Sequence, residues 1–285
     1  MTTTSLRRVL PIETGDEPWP EFETARPAAI SGKRIYAIGD VHGQAGLLAQ
    51  MQAAIAADLA RHPAEKALIL YLGDLADRGP NSATVLQRII DSQDQPGTGV
   101  EVKCLRGNHD QWLLDFCTDP GVLFVWGRKG GLETLVSYGI PAEAVLAGLA
   151  DLDDAENVRR RFVEVLPERH KAFILGQPFC HQDGDYFFAH AGVDPDRSLA
   201  EQSSEDLTWI RNKFLNSRRN LGKVVVHGHT RRAAVESLPN RINVDTGAYA
   251  QQVLSCVILE GTERHLLQVG SPVSVRIPAL AGEHA

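Results

Sequence analysis

A mixed α/β fold, with two packed mixed sheets flanked by helices and a helical insertion, is what this sequence predicts. Three observations carry it. Apolar strand-like runs alternate with helix-like runs from Lys33 to Cys117. The first three strand runs each end in a glycine-punctuated tip at a regular interval. Short strands then return late in the chain with few helices between them.

The elements follow in order. RIYAIGD, from Arg34, reads as a buried strand, and AGLLAQMQAAIAADLA, from Ala45, places apolar residues at helical spacing. ALILYLGD (Ala67 to Asp74) is a second strand, and Pro80 and Asn81 mark the start of a helix over SATVLQRIIDS. VEVKCLRGNHD is a third strand, and DQWLLDFC opens a third helix. This β-α-β-α-β order implies parallel strands with right-handed crossovers. Residues 117–178 read as a helical, acidic insertion or cap. DYFFAHAG, KVVVHGHT, RINVDTGA, QVLSCVILEG and RHLLQVG are short strands, and the last of them, lacking helices between, are expected to pair antiparallel. The division expected is a loosely ordered lead-in over 1–30, rich in Pro, Glu and Thr, a single domain over 31–270, and a similar tail over 271–285.

Composition narrows the function classes. The chain has 285 residues, 43% hydrophobic and 23% charged, which suits a globular protein with a sizeable core. A net charge of −7 disfavours a general nucleic-acid grip. Four cysteines without CxxC spacing read as reduced, which points to the cytoplasm. No run is long and apolar enough to span a membrane, and the two arginines near the N-terminus precede no signal-peptide core. No feature speaks to oligomeric state.

The strand tips hold the chemistry. The first carries Asp40 and His42 between Gly39 and Gly43; the second, GDLADRG, carries Asp74, Asp77 and Arg78; the third, RGNHD, carries Asn108, His109 and Asp110. Asp40 to Asp74 is 34 positions, and Asp74 to Asn108 is again 34. One strand–helix–strand unit is about 30 residues or more, so the tips should lie side by side at the carboxyl edge of one sheet, where open α/β sheets place their chemistry. Two later tips add His190, His227 and His229. Carboxylate, imidazole and amide oxygen together suit two divalent ions. Asp74, on the central strand, is the natural bridge; Asp40 and His42 complete one ion, and Asn108, His190 and His229 the other. A polar turn explains Asp40 and His42 taken alone, but not five converging tips. His227 is read as wall, Trp209 as core packing, and His170, His181 and His284 as solvated. Arg159 to Arg161 read as a salt-bridged helix face.

GDVHG, GDLADRG, RGNHD, HAG and GHT, in this order, resemble the phosphoprotein phosphatase family of calcineurin-like metallophosphoesterases, above all its compact bacterial and phage serine/threonine members such as the phage lambda phosphatase. LTWIR (Leu207 to Arg211) and INVDTGA (Ile242 to Ala248) extend the likeness, which covers Arg34 to Gly261. It implies the metallophosphoesterase β-sandwich, with Asp40, His42, Asp74, Asn108, His190 and His229 as metal ligands. It implies His109 as general acid oriented by Asp77, Arg78 and Arg211 as phosphate clamps, and Asn108 as a substrate contact as well. One departure is Lys129 in WGRKGG, where relatives often carry asparagine. The activity implied is that of a serine/threonine protein phosphatase using two divalent ions, manganese first, with iron or zinc as alternatives. It hydrolyses phosphate monoesters of phosphoproteins or phosphopeptides by direct attack of a hydroxide bridging the ions. The rivals are a symmetrical dinucleoside tetraphosphate hydrolase, a group that tends to lack the aspartate found here at Asp77, and a broad-specificity phosphomonoesterase. A metal-bound pseudoenzyme would have lost His109, Asp77 or a ligand, and none is missing.

Overall fold

Strands buried on both faces are apolar throughout, and their alternation decides which core each side chain joins. The computed structural model describes residues 5–10 and 27–271. The first half runs β1 (Ser5–Val9), β2 (Lys33–Ile38), α1 (Ala45–Arg61), β3 (Lys66–Tyr71), α2 (Ser82–Asp94), β4 (Val100–Cys104) and α3 (Asn108–Phe116). The insertion holds α4 (Leu123–Trp126), α5 (Gly131–Ser137), α6 (Ala142–Gly148), α7 (Leu152–Val165) and α8 (Glu168–Leu175). Then come β5 (Cys180–Asp183), β6 (Tyr186–Ala189), α9 (Ser204–Trp209), α10 (Asn212–Leu215), β7 (Val224–His227), β8 (Glu236–Ser237), β9 (Arg241–Asn243), α11 (Ala248–Gln251), β10 (Val253–Glu260) and β11 (Glu263–Gly270).

One sheet has the order β1-β11-β10-β2-β3-β4 and the other β5-β6-β7-β9-β8. In β2, Ile35 and Ala37 point between the sheets, into a core shared with Leu68, Leu70, Phe188, Val226 and Ile242. Tyr36 and Ile38 point the other way, onto Leu48, Met51 and Ile55 of α1 and Val85 and Ile89 of α2. The insertion extends this outer core: the Trp126 ring packs against Phe116 and Phe162 at centroid distances of 5.2 and 6.3 Å. The second sheet's outer face is covered by Leu207 of α9 and Phe214 of α10.

The register fixes where the tips fall. Ile38 pairs in parallel with Tyr71, and Tyr71 with Cys104, so the segments after β2, β3 and β4 emerge together at one edge.

Three expectations are corrected. Ser5–Val9, within the expected lead-in, pairs antiparallel with β11. An edge strand needs only backbone partners, so it leaves no two-faced apolar run to read. The last strands, β10 and β11, pair antiparallel as expected, but β7 and β9, which also have no helix between them, are parallel, as are β6 and β7. Helices α9 and α10 make the first crossover, and the span from β7 to β9 reaches the dozen or so residues a parallel connection needs, with β8 inside it. His170, expected in solvent, is buried: its Nε2 bonds Gln87 Oε1 at 3.0 Å and its Nδ1 bonds the Tyr138 hydroxyl at 2.8 Å. Both ring nitrogens are satisfied, which makes that burial tolerable. The tail from residue 272 and His284 lie outside the described residues. Among the described residues no helix is long and apolar enough to cross a membrane. Cys104, Cys117, Cys180 and Cys256 are free thiols.

Candidate metal centre

The tips are stitched to one another by backbone. The N–H groups of Val41 and His42 both donate to Asp74 O, at 3.1 and 2.9 Å. A Cβ on Gly107 would run into the Asp74 carboxylate, and one on Gly228 into that of Asp40. Glycine there lets the third and later tips close over the two acids. Among the described residues six non-glycines have positive φ, and five of them belong to the site: His42, Asp74, Asp77, Arg78 and His229. Strained backbone gathered at one locus is typical of a functional centre.

His42 and His190 are each aimed by the nitrogen that faces away from the acids. His42 Nδ1–H donates to Ala76 O at 2.8 Å, leaving Nε2 3.5 Å from Asp74 Oδ2 and 3.8 Å from Asp40 Oδ2. His190 Nδ1–H donates to Leu72 O at 2.9 Å, leaving Nε2 3.4 Å from Asp74 Oδ1 and 3.1 Å from Asn108 Oδ1. His229 is held by its backbone N–H, which donates to both Asp40 oxygens at 3.1 and 3.2 Å. Imidazoles oriented through one nitrogen, with the other free, are how proteins present histidine to a metal. His42 Nε2 and His229 Nε2 are buried with no hydrogen-bond partner among the described residues. Leaving such atoms unpaired is costly, and a divalent ion is the partner this donor set fits. Two groups of donor atoms, each within 4.8 Å, share Asp74: His42–Asp74–His109 and Asp74–His190–His229.

Burial and charge act against each other here. Burial works to raise the Asp74 carboxyl, but His190, His109 and His42 outweigh it and hold it well below the usual range. Burial, with repulsion from Asp245 and Asp74, pushes Asp40 well above. Burial would lower His190, but Asp74 and Asp40 lift it to about 9. Burial takes His42 down to about 3 and, with His190 beside it, His229 to about 2. In the metal-free chain the surroundings thus favour the charged form of His190 and the neutral form of Asp40. Divalent ions would displace both protons.

His109 sits beside this cluster. Its Nδ1–H donates to Asp77 Oδ2 at 2.6 Å, and its Nε2 accepts from Arg78 Nη2 at 3.0 Å. Asp77 is fully buried and also accepts from Trp126 Nε1 (2.7 Å) and Thr134 Oγ1 (2.6 Å), while its N–H donates to Thr134 Oγ1 (2.9 Å) and Ser82 Oγ (3.0 Å). Both ring nitrogens of His109 thus have partners, while a ring nitrogen also lies within 4.8 Å of the His42 and Asp74 donor atoms. Arg211 is exposed, and its charge acts on His229. Lys129 is exposed and precedes Gly130, whose carbonyl accepts from Arg78 N at 3.1 Å.

Sequence reasoning gave several neighbours no role in the site. Asp110 closes the third tip onto the second, accepting from the N–H groups of Leu75 (3.0 Å), Ala76 (3.3 Å) and Gly107 (3.1 Å). Its place directly after His109 was the available signal. Trp126 and Thr134 come from the insertion, and nothing local marks them. Tyr249 lies edge-on to His42 at 5.4 Å and under Arg78 at 4.7 Å. Trp209, expected in the core, is 39% exposed. His227 and His229 do not share a face: β7 ends at His227, whose ring meets Phe214 at 5.1 Å, and the positive φ of His229 turns its side chain into the site.

Known proteins are similar along much of the chain. Bis(5'-nucleosyl)-tetraphosphatase PrpE [asymmetrical] of Anoxybacillus flavithermus is 26% identical over 229 residues, 74% of this chain and 84% of that protein. The symmetrical bis(5'-nucleosyl)-tetraphosphatase of Methylococcus capsulatus is 31% identical over 161 residues, 56% of this chain but 44% of that protein, so the chain spans less than half of that relative. Serine/threonine-protein phosphatase 1 of Salmonella typhimurium is 24% identical over 237 residues, 80% of this chain and 93% of that protein. The model of the calcineurin-like phosphoesterases matches residues 33–244. That stretch contains every tip described above, and the chain belongs to the calcineurin-like phosphoesterase family.

Proposed function

We propose that this chain is a cytoplasmic hydrolase of dinucleoside tetraphosphates, with phosphate monoesters of serine and threonine as a second substrate class. The observation that carries the hydrolase reading is the pair of donor groups meeting at Asp74, with the His109–Asp77 pair and Arg78 beside them. The names of the Anoxybacillus and Methylococcus relatives support the dinucleotide, and they favour it over the protein-phosphatase reading expected from the sequence. Two divalent ions, held by Asp40, His42 and Asp74 and by Asp74, Asn108, His190 and His229, would neutralise phosphoryl oxygens and acidify water. Mixed nitrogen and oxygen donors suit manganese, iron or zinc.

The chain's own groups do the rest. Arg78 leaves His109 Nε2 to grip a phosphoryl oxygen with its planar fork, and Arg211 faces the same charge from the His229 side. The released Nε2, on a ring held by Asp77 at Nδ1, would pass a proton to the departing oxygen. A nucleotide leaving group needs that proton little, whereas a serine alkoxide needs it greatly. The buried His109–Asp77 pair is therefore the observation that favours the second reading, and the Salmonella phosphatase supports it.

The test is product analysis with purified, manganese-loaded protein on diadenosine tetraphosphate and a phosphoserine peptide. Two ADP indicate symmetrical cleavage, and ATP plus AMP asymmetrical. Release of phosphate from the peptide with the dinucleotide untouched overturns the primary reading.

A further inference from the structure

The metal centre has an aromatic rim that the proposed chemistry does not use. Helix α3 begins at Asn108, so Trp112, one turn on, rises from the same helix face. Its ring stands edge-on to His109 at 5.0 Å and to Trp209 at 4.9 Å. Trp209 ends α9 and stands edge-on to His229 at 6.2 Å. The two indoles thus link His109 on one flank to His229 on the other. Trp209 is 39% exposed, whereas Trp126 is fully buried. A part-exposed indole bordering a centre suited to divalent ions calls for a ligand that joins a flat π-surface to an anion. Arg211, two residues past Trp209, adds positive charge beside the same shelf.

We propose that Trp209, buttressed by Trp112, is a stacking platform for the nucleobase of a nucleotide whose phosphate lies at the metal centre. This rests on the dinucleotide reading for its substrate, but the stacking itself is tested without turnover of a dinucleotide. Every base offers a π-face to an indole, so the platform selects nucleotides over bare phosphate without choosing among bases.

The test uses full-length, manganese-loaded protein with p-nitrophenyl phosphate as reporter substrate, and AMP and inorganic phosphate as competitive inhibitors. Wild type should bind AMP more tightly than phosphate. In Trp209→Ala the ratio of the two inhibition constants should shift against AMP by about 5- to 150-fold, the range of one base–aromatic stack, and Trp209→Phe should recover most of it. Both variants should keep wild-type far-UV circular dichroism; should Trp209→Ala fail to fold, Trp209→Leu, bulky but without a π-face, takes its place and should show the same shift. The proposal is overturned if wild type shows no preference for AMP, or if the folded non-aromatic variant leaves the ratio unchanged. It is overturned equally if phosphopeptide KM responds to Trp209→Ala while AMP inhibition does not, which would make the shelf a peptide contact. Nucleotide preference lost in Trp209→Ala, from a wild type that cleaves no dinucleotide, would sustain the platform and reject only the substrate reading.

Discussion

Replacing Asp77 by asparagine separates charge from shape at the proposed acid. Asp77 is fully buried, and asparagine is its near-isostere. An amide oxygen in the place of Oδ2 keeps the bonds from His109 Nδ1 and Trp126 Nε1. The amide nitrogen then faces Thr134 Oγ1, which turns its proton toward Ser82 Oγ, 2.9 Å away, and accepts instead. Of the buried polar groups only the Ser82 hydroxyl gives up its acceptor in that exchange, so the fold should survive, and what disappears is the negative charge facing His109. Hydrogen bonds to charged groups contribute about 1.5–3 kcal/mol against about 0.5–1.5 for neutral ones. The difference of about 1–1.5 kcal/mol corresponds to roughly 5- to 13-fold in rate, and burial of both partners makes this a lower bound. The assay compares kcat of wild type and Asp77→Asn on a phosphoserine peptide and on p-nitrophenyl phosphate, with melting temperature as control. The peptide rate should fall about tenfold or more, and the aryl phosphate rate by no more than about twofold. Equal losses on both substrates at an unchanged melting temperature would refute the role given to the His109–Asp77 pair.

Other perturbations follow from the same contacts. Gly107→Ala forces a Cβ into the Asp74 carboxylate and should cut manganese content measured by mass spectrometry below one ion per chain; two ions retained would contradict that packing. Asp110→Ala strands three buried N–H groups, each costing about 1–3 kcal/mol, and should lower the urea midpoint sharply; a shift under about 1 kcal/mol would count against it. In chelator-treated protein, His42, His227 and His229 are held at about 3, 3 and 2, against an ordinary 6.5. The unfolded chain therefore binds more protons in acid, and their stabilisation, complete above pH 6.5, is lost as pH falls below it. Raised Asp40, Asp110 and Asp245 oppose this, and His190, lifted to about 9, contributes stability that is complete below pH 6.5 and is lost as pH climbs from there through 9. With His170 and His181 lowered by burial too, the imidazoles outnumber these carboxyls, so melting temperature should peak near pH 6.5 and fall on either side, and a flat profile from pH 4 to 6.5 would contradict the burial of these rings.

Much of the centre was legible because strand ends are punctuated. Gly39, Gly73 and Gly107 stop three buried runs, and equal spacing of Asp40, Asp74 and Asn108 places them on adjacent parallel strands. What stayed hidden depends on tertiary contact. Trp126 and Thr134 reach Asp77 from the insertion, 49 and 57 residues away, with no motif of their own. Trp209 reads as core because sequence shows an indole's size but not which face stays open. The positive φ of His229 broke the alternation that would have set it beside His227, since strand periodicity fails where a strand ends. Ser5–Val9 joins its sheet through backbone alone. The parallel pairing of β7 and β9 was missed because their crossover carries no helix.

The central claim is that one carboxylate joins two cation sites, and titration calorimetry with manganese, backed by metal analysis, tests it most directly. Wild type should bind two ions per chain, Asn108→Ala should weaken one site, and Asp74→Asn should weaken both. Two ions bound by Asp74→Asn with wild-type affinity would contradict the account.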